Sequence, residues 1–276
     1  MSDPIADCGL PPAAPAWHLG ALRFIRSGPA DGFTNMAVDE AILLAHAAGQ
    51  VPPTLRLYAW EPPAISLGYF QPARRDVDLD ACARAGVDVV RRLTGGRGVL
   101  HADEVTYSVV VSESAFPGAG VAEVYRVLSG GLIAGLRRLG VDSRLAPGQK
   151  PHRGPSGADC FAAAAQCDLV VAGRKICGSA QVRRHGVILQ HGALPLAWTD
   201  PAPFWREPGP PPNATDLTQA LGRRPSWDEV AEAMAAGFAE ALGISLDPGT
   251  LTEQEHACAD QLRREKYATD AWNLRR

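Results

Sequence analysis

At 276 residues, with 46% hydrophobic and 21% charged side chains, the chain has room for one large core or two small ones and the balance of a soluble enzyme. A net charge of −3 argues against nucleic acid as a partner, and no apolar run reaches the ~18–20 residues of a membrane span. The six cysteines (Cys8, Cys82, Cys160, Cys167, Cys177, Cys258) are scattered, without a CxxC pair. They read as reduced thiols, most of them small buried apolar residues, and place the protein in the cytoplasm.

Residues 1–18 are rich in Pro and Ala, carry Asp3 and Asp7, and lack a basic start followed by an apolar core. They read as a loose tail and not a signal peptide. No repeat or shift in composition divides the remainder, so residues 19–276 are expected to form a single domain.

In chain order, Leu19–Arg26 alternates as a first strand, and a helix capped by Thr34 or Asn35 runs to about Ala48. Asp39 and Glu40 would sit in its first turns, where the helix dipole favours acids. Thr54–Ala59 and Ala64–Tyr69 read as two short strands around Trp60–Pro63, and Asp76–Ala85 as a short helix ended by Gly86.

The organising stretch comes next: VVRRLTGGRGVLHADEVTYSVVV, Val89–Val111. Two β-branched runs, Val87–Val90 and Val105–Val111, bracket the Gly-rich segment Thr94–Gly98. Gly95, Gly96 and Gly98 allow close backbone approach, which would present bare amides beside Arg91, Arg92, Arg97 and His101. A tight turn with solvated arginines fits the same residues. A phosphate loop does not, because Val99-Leu100 continues as strand with no helix start and no GK[ST].

Val121–Leu139 is strongly amphipathic, with Val124, Leu128, Leu132, Leu136 and Leu139 in one stripe. After a strand near Val141–Leu145, Ala146–Asp159 loses periodicity and reads as a functional or mobile loop. Leu169–Ala172, Lys175–Arg183 and Val187–Leu194 follow as an antiparallel meander with turns at Gly173-Arg174 and His185-Gly186. Pro201–Pro212 reads as a surface connection. Helices then cover Asp216–Leu221, Ser226–Leu242 with a Ser226–Glu229 capping box, and Thr252–Lys266.

Cys160, at the end of the irregular loop, is placed to be accessible, a condition for a nucleophilic thiol; an ordinary cysteine is the alternative. Lys175, in GRKICGSAQ, faces either solvent or a pocket. Cys177 is two residues on, on the same strand face, and competes as a nucleophile. His101, His185 and His191 form no metal-ligand spacing, and HEXXH and GxSxG are absent, so no metal is expected.

RRLTGGRGVLHADEVTYS resembles the signature of the lipoate–protein ligase A / LipM-type octanoyltransferase family. DGFTNMAVDEAIL resembles that family's N-terminal helix, RLYAWEPPAISLGYFQ its first hairpin, DLVVAGRKICGSAQVRRHGVILQHGALPL its lysine-bearing meander and KYATDAWN its C-terminal end. The resemblance implies an α/β (α+β) fold: a single catalytic domain of the biotin/lipoate–protein ligase type, with a mixed, mostly antiparallel sheet packed with helices. It implies an acyltransferase that moves an octanoyl or lipoyl group from acyl carrier protein, or from the glycine cleavage H protein, to the lysine of a lipoyl protein. H protein and the lipoyl domains of 2-oxoacid dehydrogenases are the expected acceptors. Carried over residue by residue, the catalytic pair is Cys160 and Lys175. The substrate-binding residues are Arg92, Thr94, Gly95, Gly96, Arg97, His101, Gly178, Ser179 and Ala180.

Two departures bear on mechanism. The HD pair of the ATP-dependent ligases is His101-Ala102 here, and with only Leu274–Arg276 following KYATDAWN no accessory domain is expected. Both favour a cysteine thioester, with no cofactor, over an ATP-dependent ligase forming a lipoyl-adenylate with Mg. A non-catalytic acyl-binding member is the third reading. In the favoured one, Lys175 supports a Cys160 thiolate and donates to the acyl oxygen. Amides near Gly95-Gly96 and Gly178-Ser179 complete that site, and His101 shapes the loop.

Overall fold

The computed structural model describes residues 17–146, 159–162, 168–207 and 212–276. Its strands are β1 (Ala21–Ala30), β2 (Thr54–Trp60), β3 (Ala64–Leu67), β4 (Asp88–Arg91), β5 (Val99–His101), β6 (Glu104–Ser112), β7 (Arg144–Leu145), β8 (Leu169–Val171), β9 (Arg174–Arg184), β10 (Val187–Pro195) and β11 (Ser245–Gly249). Its helices are α1 (Gly32–Ala47), α2 (Ala73–Asp76), α3 (Leu79–Ala85), α4 (Val121–Arg138), α5 (Leu217–Leu221), α6 (Trp227–Leu242), α7 (Glu253–Leu262) and α8 (Asp270–Asn273). Residues 1–16 of the expected tail, Cys8, Cys167 and nearly all of the 146–159 loop lie outside the described residues; Trp17 and His18 are not loose, since Trp17 packs on Phe116 at 5.3 Å and His18 N donates to Ala115 O at 3.1 Å.

Eight strands form one mixed sheet in the order β11-β1-β2-β6-β10-β9-β8-β7. The first two junctions are parallel and the other five antiparallel, giving the mostly antiparallel sheet expected. A second, three-stranded sheet, β4-β3-β5, packs beside it.

Period-2 alternation sorts the side chains of the large sheet. On β6, Val105, Tyr107, Val109 and Val111 join the apolar cluster with Val124, Leu128, Leu132 and Leu136 of α4 and Met234 and Phe238 of α6. The stripe read from α4 therefore buries as its spacing requires. Gly237 lets α6 lie flush on α4: a Cβ there would come within 2.2 Å of the Gly135 nitrogen. The intervening β6 residues, Thr106, Ser108 and Val110, turn to the opposite face, toward α1. That face carries Met36, Ala41, Ile42, Tyr58 and Leu189 as apolar core, together with a buried polar cluster.

Several expectations are corrected. The N-cap of α1 is Asp31, whose carboxylate accepts from Thr34 N; neither Thr34 nor Asn35 caps it. Asp39 and Glu40 are not dipole acids at a surface. Asp39 is buried against Arg56 (2.8 Å), Tyr58 (3.0 Å) and Ser108 (2.9 Å), and Glu40 accepts from Lys266 and Tyr267, both at 2.6 Å. β2 and β3 are not a hairpin; they enter different sheets. The helix expected over 76–85 starts later, as α3 from Leu79 with Asp78 as its cap, and a separate turn of helix, α2, ends at Asp76. The first meander turn is Ala172-Gly173, both at positive φ, one residue earlier than expected. Ser226 caps α6, but Glu229 pairs with Arg223 instead of closing the box; the reciprocal capping box is at Thr252 and Glu255, on α7. The helix read to Lys266 ends at Leu262 and passes into a π turn, Arg263–Tyr267. The 201–212 connection includes a buried anchor, Trp205. β11 was unforeseen: Ser-Leu-Asp-Pro-Gly has no strand pattern, and its pairing with β1 supplies the order.

Candidate active site

The Gly-rich segment links β4 to β5 within the small sheet, and a buried cation shapes it. Arg92 is buried and donates to the carbonyls of Gly95 and Arg97, each at 2.7 Å, to Ser66 O at 2.7 Å and to Thr94 Oγ1 at 3.0 Å. Burial holds its guanidinium below the ordinary arginine range, although interactions with Cys160 and Tyr125 work the other way. Gly96 has φ +92°, a conformation side chains rarely adopt. Gly68 lies so close beneath that a Cβ would come within 1.9 Å of Gly96 O. Gly68→Ala should therefore displace the turn. The expected result is a loss of about 1–3 kcal/mol in denaturant unfolding, the usual range for overpacking, together with a fall in turnover.

The Cys160 segment is tied to this loop. Cys160 N donates to Gly98 O at 2.8 Å, and Asp159 bridges to Gly98. Phe161 is anchored among Val99, Ala193 and Ala214, edge-on to Trp198 at 5.5 Å. Asp159 accepts from Phe161 N at 2.9 Å, and burial pushes its carboxyl above the usual range. Cys160 itself is half-buried.

Lys175 meets it from β9. It is 1% exposed, so the solvent-facing reading of this lysine is excluded. Its Nζ lies 3.4 Å from Cys160 Sγ and donates to Cys160 O at 3.0 Å and to Asp168 Oδ2 at 2.7 Å. Burial alone would lower the ammonium's pKa; its interactions with Cys160 and Asp168 outweigh it and hold the pKa above the ordinary lysine value. A bulge directs this aim. Leu169 pairs with Cys177 and Val170 with Lys175, so strict alternation breaks between them. Ile176 and Cys177 both enter the apolar core, which corrects the expectation that Cys177 shares the face of Lys175. Cys177 is buried and its thiol is pushed up to about 12 by that burial, unfavourable for a nucleophile.

A cavity opens between the two sheets. Arg92, Gly96, His101, Cys160, Gly178, Ser179 and Ala180 line it, together with Met36, Tyr58, Trp60, Ser66, Val99, Thr106, His191, Gly192 and Ala193. Of the other candidates, Lys175 reaches the lining through Cys160, and Thr94 is buried behind it. Gly95 lines a neighbouring outer groove, and Arg97 holds the loop through its carbonyl. The His101 ring is fixed by stacking on Trp60 (4.0 Å, 8°), by Ser66 Oγ and by Glu104 Oε1, both at 2.8 Å. Among the described residues, no group of three His, Cys, Asp or Glu side chains could hold a metal ion.

Sequence reasoning missed Asp168 and His191. Asp168 is a charge abutting the apolar run of β8, and His191 with Gln190 interrupts the apolar run of β10; both are signals of a buried polar partner. His191 links Thr94 Oγ1 (2.8 Å) to Asp39 Oδ2 (3.4 Å), so it couples the Gly-rich loop to α1. Burial holds its imidazole below the ordinary histidine value, more than Asp39 raises it. The unfolded chain thus takes up this proton first, and stability should fall as the pH drops below about 6.5, the unperturbed histidine value. Unfolding midpoints between about pH 7.5 and 5 should show this slope, and His191→Gln should flatten it.

The family described as the lipoyl protein ligase A/B catalytic domain matches residues 31–239. The octanoyltransferase LipM of Symbiobacterium thermophilum is 48% identical over 270 residues, covering 92% of this chain and 98% of that one. The octanoyltransferase LipM of Kyrpidia tusciae is 47% identical over 272 residues, with the same coverage of each chain. Among solved structures, a lipoate-protein ligase A bound with ATP superposes with a TM-score of 0.78 at 30% identity, covering 92% of this chain and 98% of that one. A putative lipoate protein ligase from T. acidophilum with bound lipoic acid gives 0.76 at 30%, covering 93% and 100%. With a matching arrangement of sheet and helices and a match over most of its length, the chain belongs to the lipoyl protein ligase A/B catalytic domain family.

Proposed function

We propose that this protein is an octanoyltransferase of protein lipoylation, with residues 19–276 acting as one catalytic domain in the cytosol and Cys160 carrying the acyl group as a thioester. The observation that carries the reading is the 3.4 Å approach of the Lys175 ammonium to the Cys160 sulfur, at the mouth of a largely apolar cavity. The 40–48% identity to octanoyltransferases over 92% of the chain supports the same activity.

In the first step the Cys160 thiolate attacks the carbonyl of an octanoyl thioester on acyl carrier protein. A new C–S bond forms, the bond to the carrier sulfur breaks, and the carrier leaves as a thiol with the proton that Cys160 gave up. Lys175 faces the developing oxyanion and is already charged, so no proton transfer is needed at that moment. In the second step the amine of a lipoyl-protein lysine attacks the acyl-enzyme. An amide forms, the C–S bond to Cys160 breaks, and the proton given up by the attacking nitrogen passes to the leaving sulfur, restoring the Cys160 thiol. No cofactor enters either step. Trp60, Val99, Ala180 and Ala193 offer the alkyl chain apolar contact, each buried CH₂ contributing about 0.8 kcal/mol.

The test is incubation with octanoyl–acyl carrier protein and apo H protein without ATP. Octanoylated H protein is the expected product. Product only when ATP and free lipoate are supplied would identify a ligase instead, and binding without turnover a non-catalytic member.

A further inference from the structure

Phe70 and Val121, the large hydrophobic side chains exposed among the described residues at 66% and 52%, line the same outer groove. This groove adjoins the cavity directly. Gly178–Ala180 of β9 line the inner cavity and Gln181–Arg184 the outer groove, while Gly96 faces one and Gly95 the other. From Gly178 to Arg184 the strand offers a track of about 20 Å, at ~3.3 Å per residue.

The rim of the groove is cationic. Arg184 lies over the Tyr69 ring (5.3 Å), Arg275 over Tyr69 (4.2 Å), and Arg276 over Phe70 (5.3 Å). Beneath them Arg91 is buried and gives its guanidinium hydrogens to carbonyl oxygens, those of Gly68, Gln71 and Asn273 at 2.7–2.8 Å. Among the described residues none of these four guanidiniums forms an ion pair, whereas Glu113 and Glu40, at the borders, are already taken by Arg183 and Lys266. The guanidiniums of Arg275 and Arg184 also pull the Tyr69 phenol below its ordinary range. In a chain of net charge −3, this is a local positive field around two exposed apolar side chains.

We propose that this groove is the docking face for an acidic carrier protein, and that the carrier's extended acyl-bearing tether lies along β9 from Arg184 to Gly178, delivering its thioester to Cys160. The proposal rests on the reading of the chain as an octanoyltransferase loaded from a carrier. These guanidiniums favour an acidic surface and a phosphorylated tether, and Phe70 and Val121 give the contact an apolar centre.

The test compares single-turnover acylation of Cys160 by octanoyl–acyl carrier protein and by the small donor octanoyl-pantetheine. The proteins are the wild type, the triple variant Arg184→Glu, Arg275→Glu, Arg276→Glu, and the milder double variant Arg275→Gln, Arg276→Gln. Expected for the triple variant is a fall of at least about tenfold in kcat/KM with the carrier-borne donor at low salt, a smaller fall for the double variant, and little change with octanoyl-pantetheine. Added salt should slow the wild type on the carrier and shrink the difference. Equal losses on both donors, no loss on either, or a loss confined to transfer from acyl-enzyme to H protein would overturn the docking assignment. A wild type that neither donor acylates would overturn the transferase reading itself, and the docking face with it.

Discussion

Cys160→Ala should leave a folded protein that transfers no octanoyl group and carries no adduct. The fold should survive because the side chain is half-buried, while the segment is held by backbone and neighbours: Cys160 N on Gly98 O, Phe161 in its apolar nest, Asp159 on Phe161 N. Removing the sulfur takes away about one methyl-sized group from a partly open site, a change within about 1 kcal/mol. Activity should fall to background, because the neighbouring thiol and the other buried one are poor substitutes. Cys177 is buried in the core with its thiol pushed up to about 12, and Cys82 is buried with its thiol pushed up to about 11. Turnover by Cys160→Ala above a few per cent of wild type would remove the cysteine from the mechanism.

Lys175→Met should lower acylation by about 100–1000-fold, the usual effect of deleting one preorganised donor to an oxyanion. It should also lower stability. Lys175 is 1% exposed and paired at 2.7 Å with Asp168, itself buried, so the substitution takes a cationic partner from a buried carboxylate, at about 3–5 kcal/mol. The two effects separate in a second variant. Lys175→Met with Asp168→Asn removes the buried negative charge as well and should recover most of the unfolding free energy while the acylation rate stays low. Recovery of rate along with stability would mean that Lys175 serves the fold and not the chemistry.

What could be read beforehand was what the chain encodes locally. The stripe of α4, the meander of β8–β10 and the strands flanking Thr94–Gly98 follow from residue spacing, and the structure has them close to where spacing put them. What could not be read depends on partners distant in the chain. Asp39 and Glu40 occupy positions that suit a helix dipole, yet they answer Arg56 and Lys266, 17 and 226 residues away. β11 has no pattern of its own and exists because β1 offers an edge. At the site, the Gly-rich loop, Cys160 and Lys175 stand out in the sequence. Asp168 and His191 signal only that some buried partner exists, because one charge or one histidine beside an apolar run does not say which residue answers it. The bulge at Lys175–Cys177 is equally invisible in a period-2 reading, and it separates the two residues that alternation would put on one face.

The central claim is that an acyl group rests on Cys160 between donor and acceptor. The direct measurement is to mix wild-type protein with octanoyl–acyl carrier protein in the absence of ATP and acceptor, quench in acid, and map the modified peptide by mass spectrometry. The account predicts one octanoyl group on the peptide containing Cys160, cleaved by hydroxylamine as a thioester and discharged when apo H protein is added before the quench. An unmodified Cys160, or an octanoyl group found on Cys177, would contradict it.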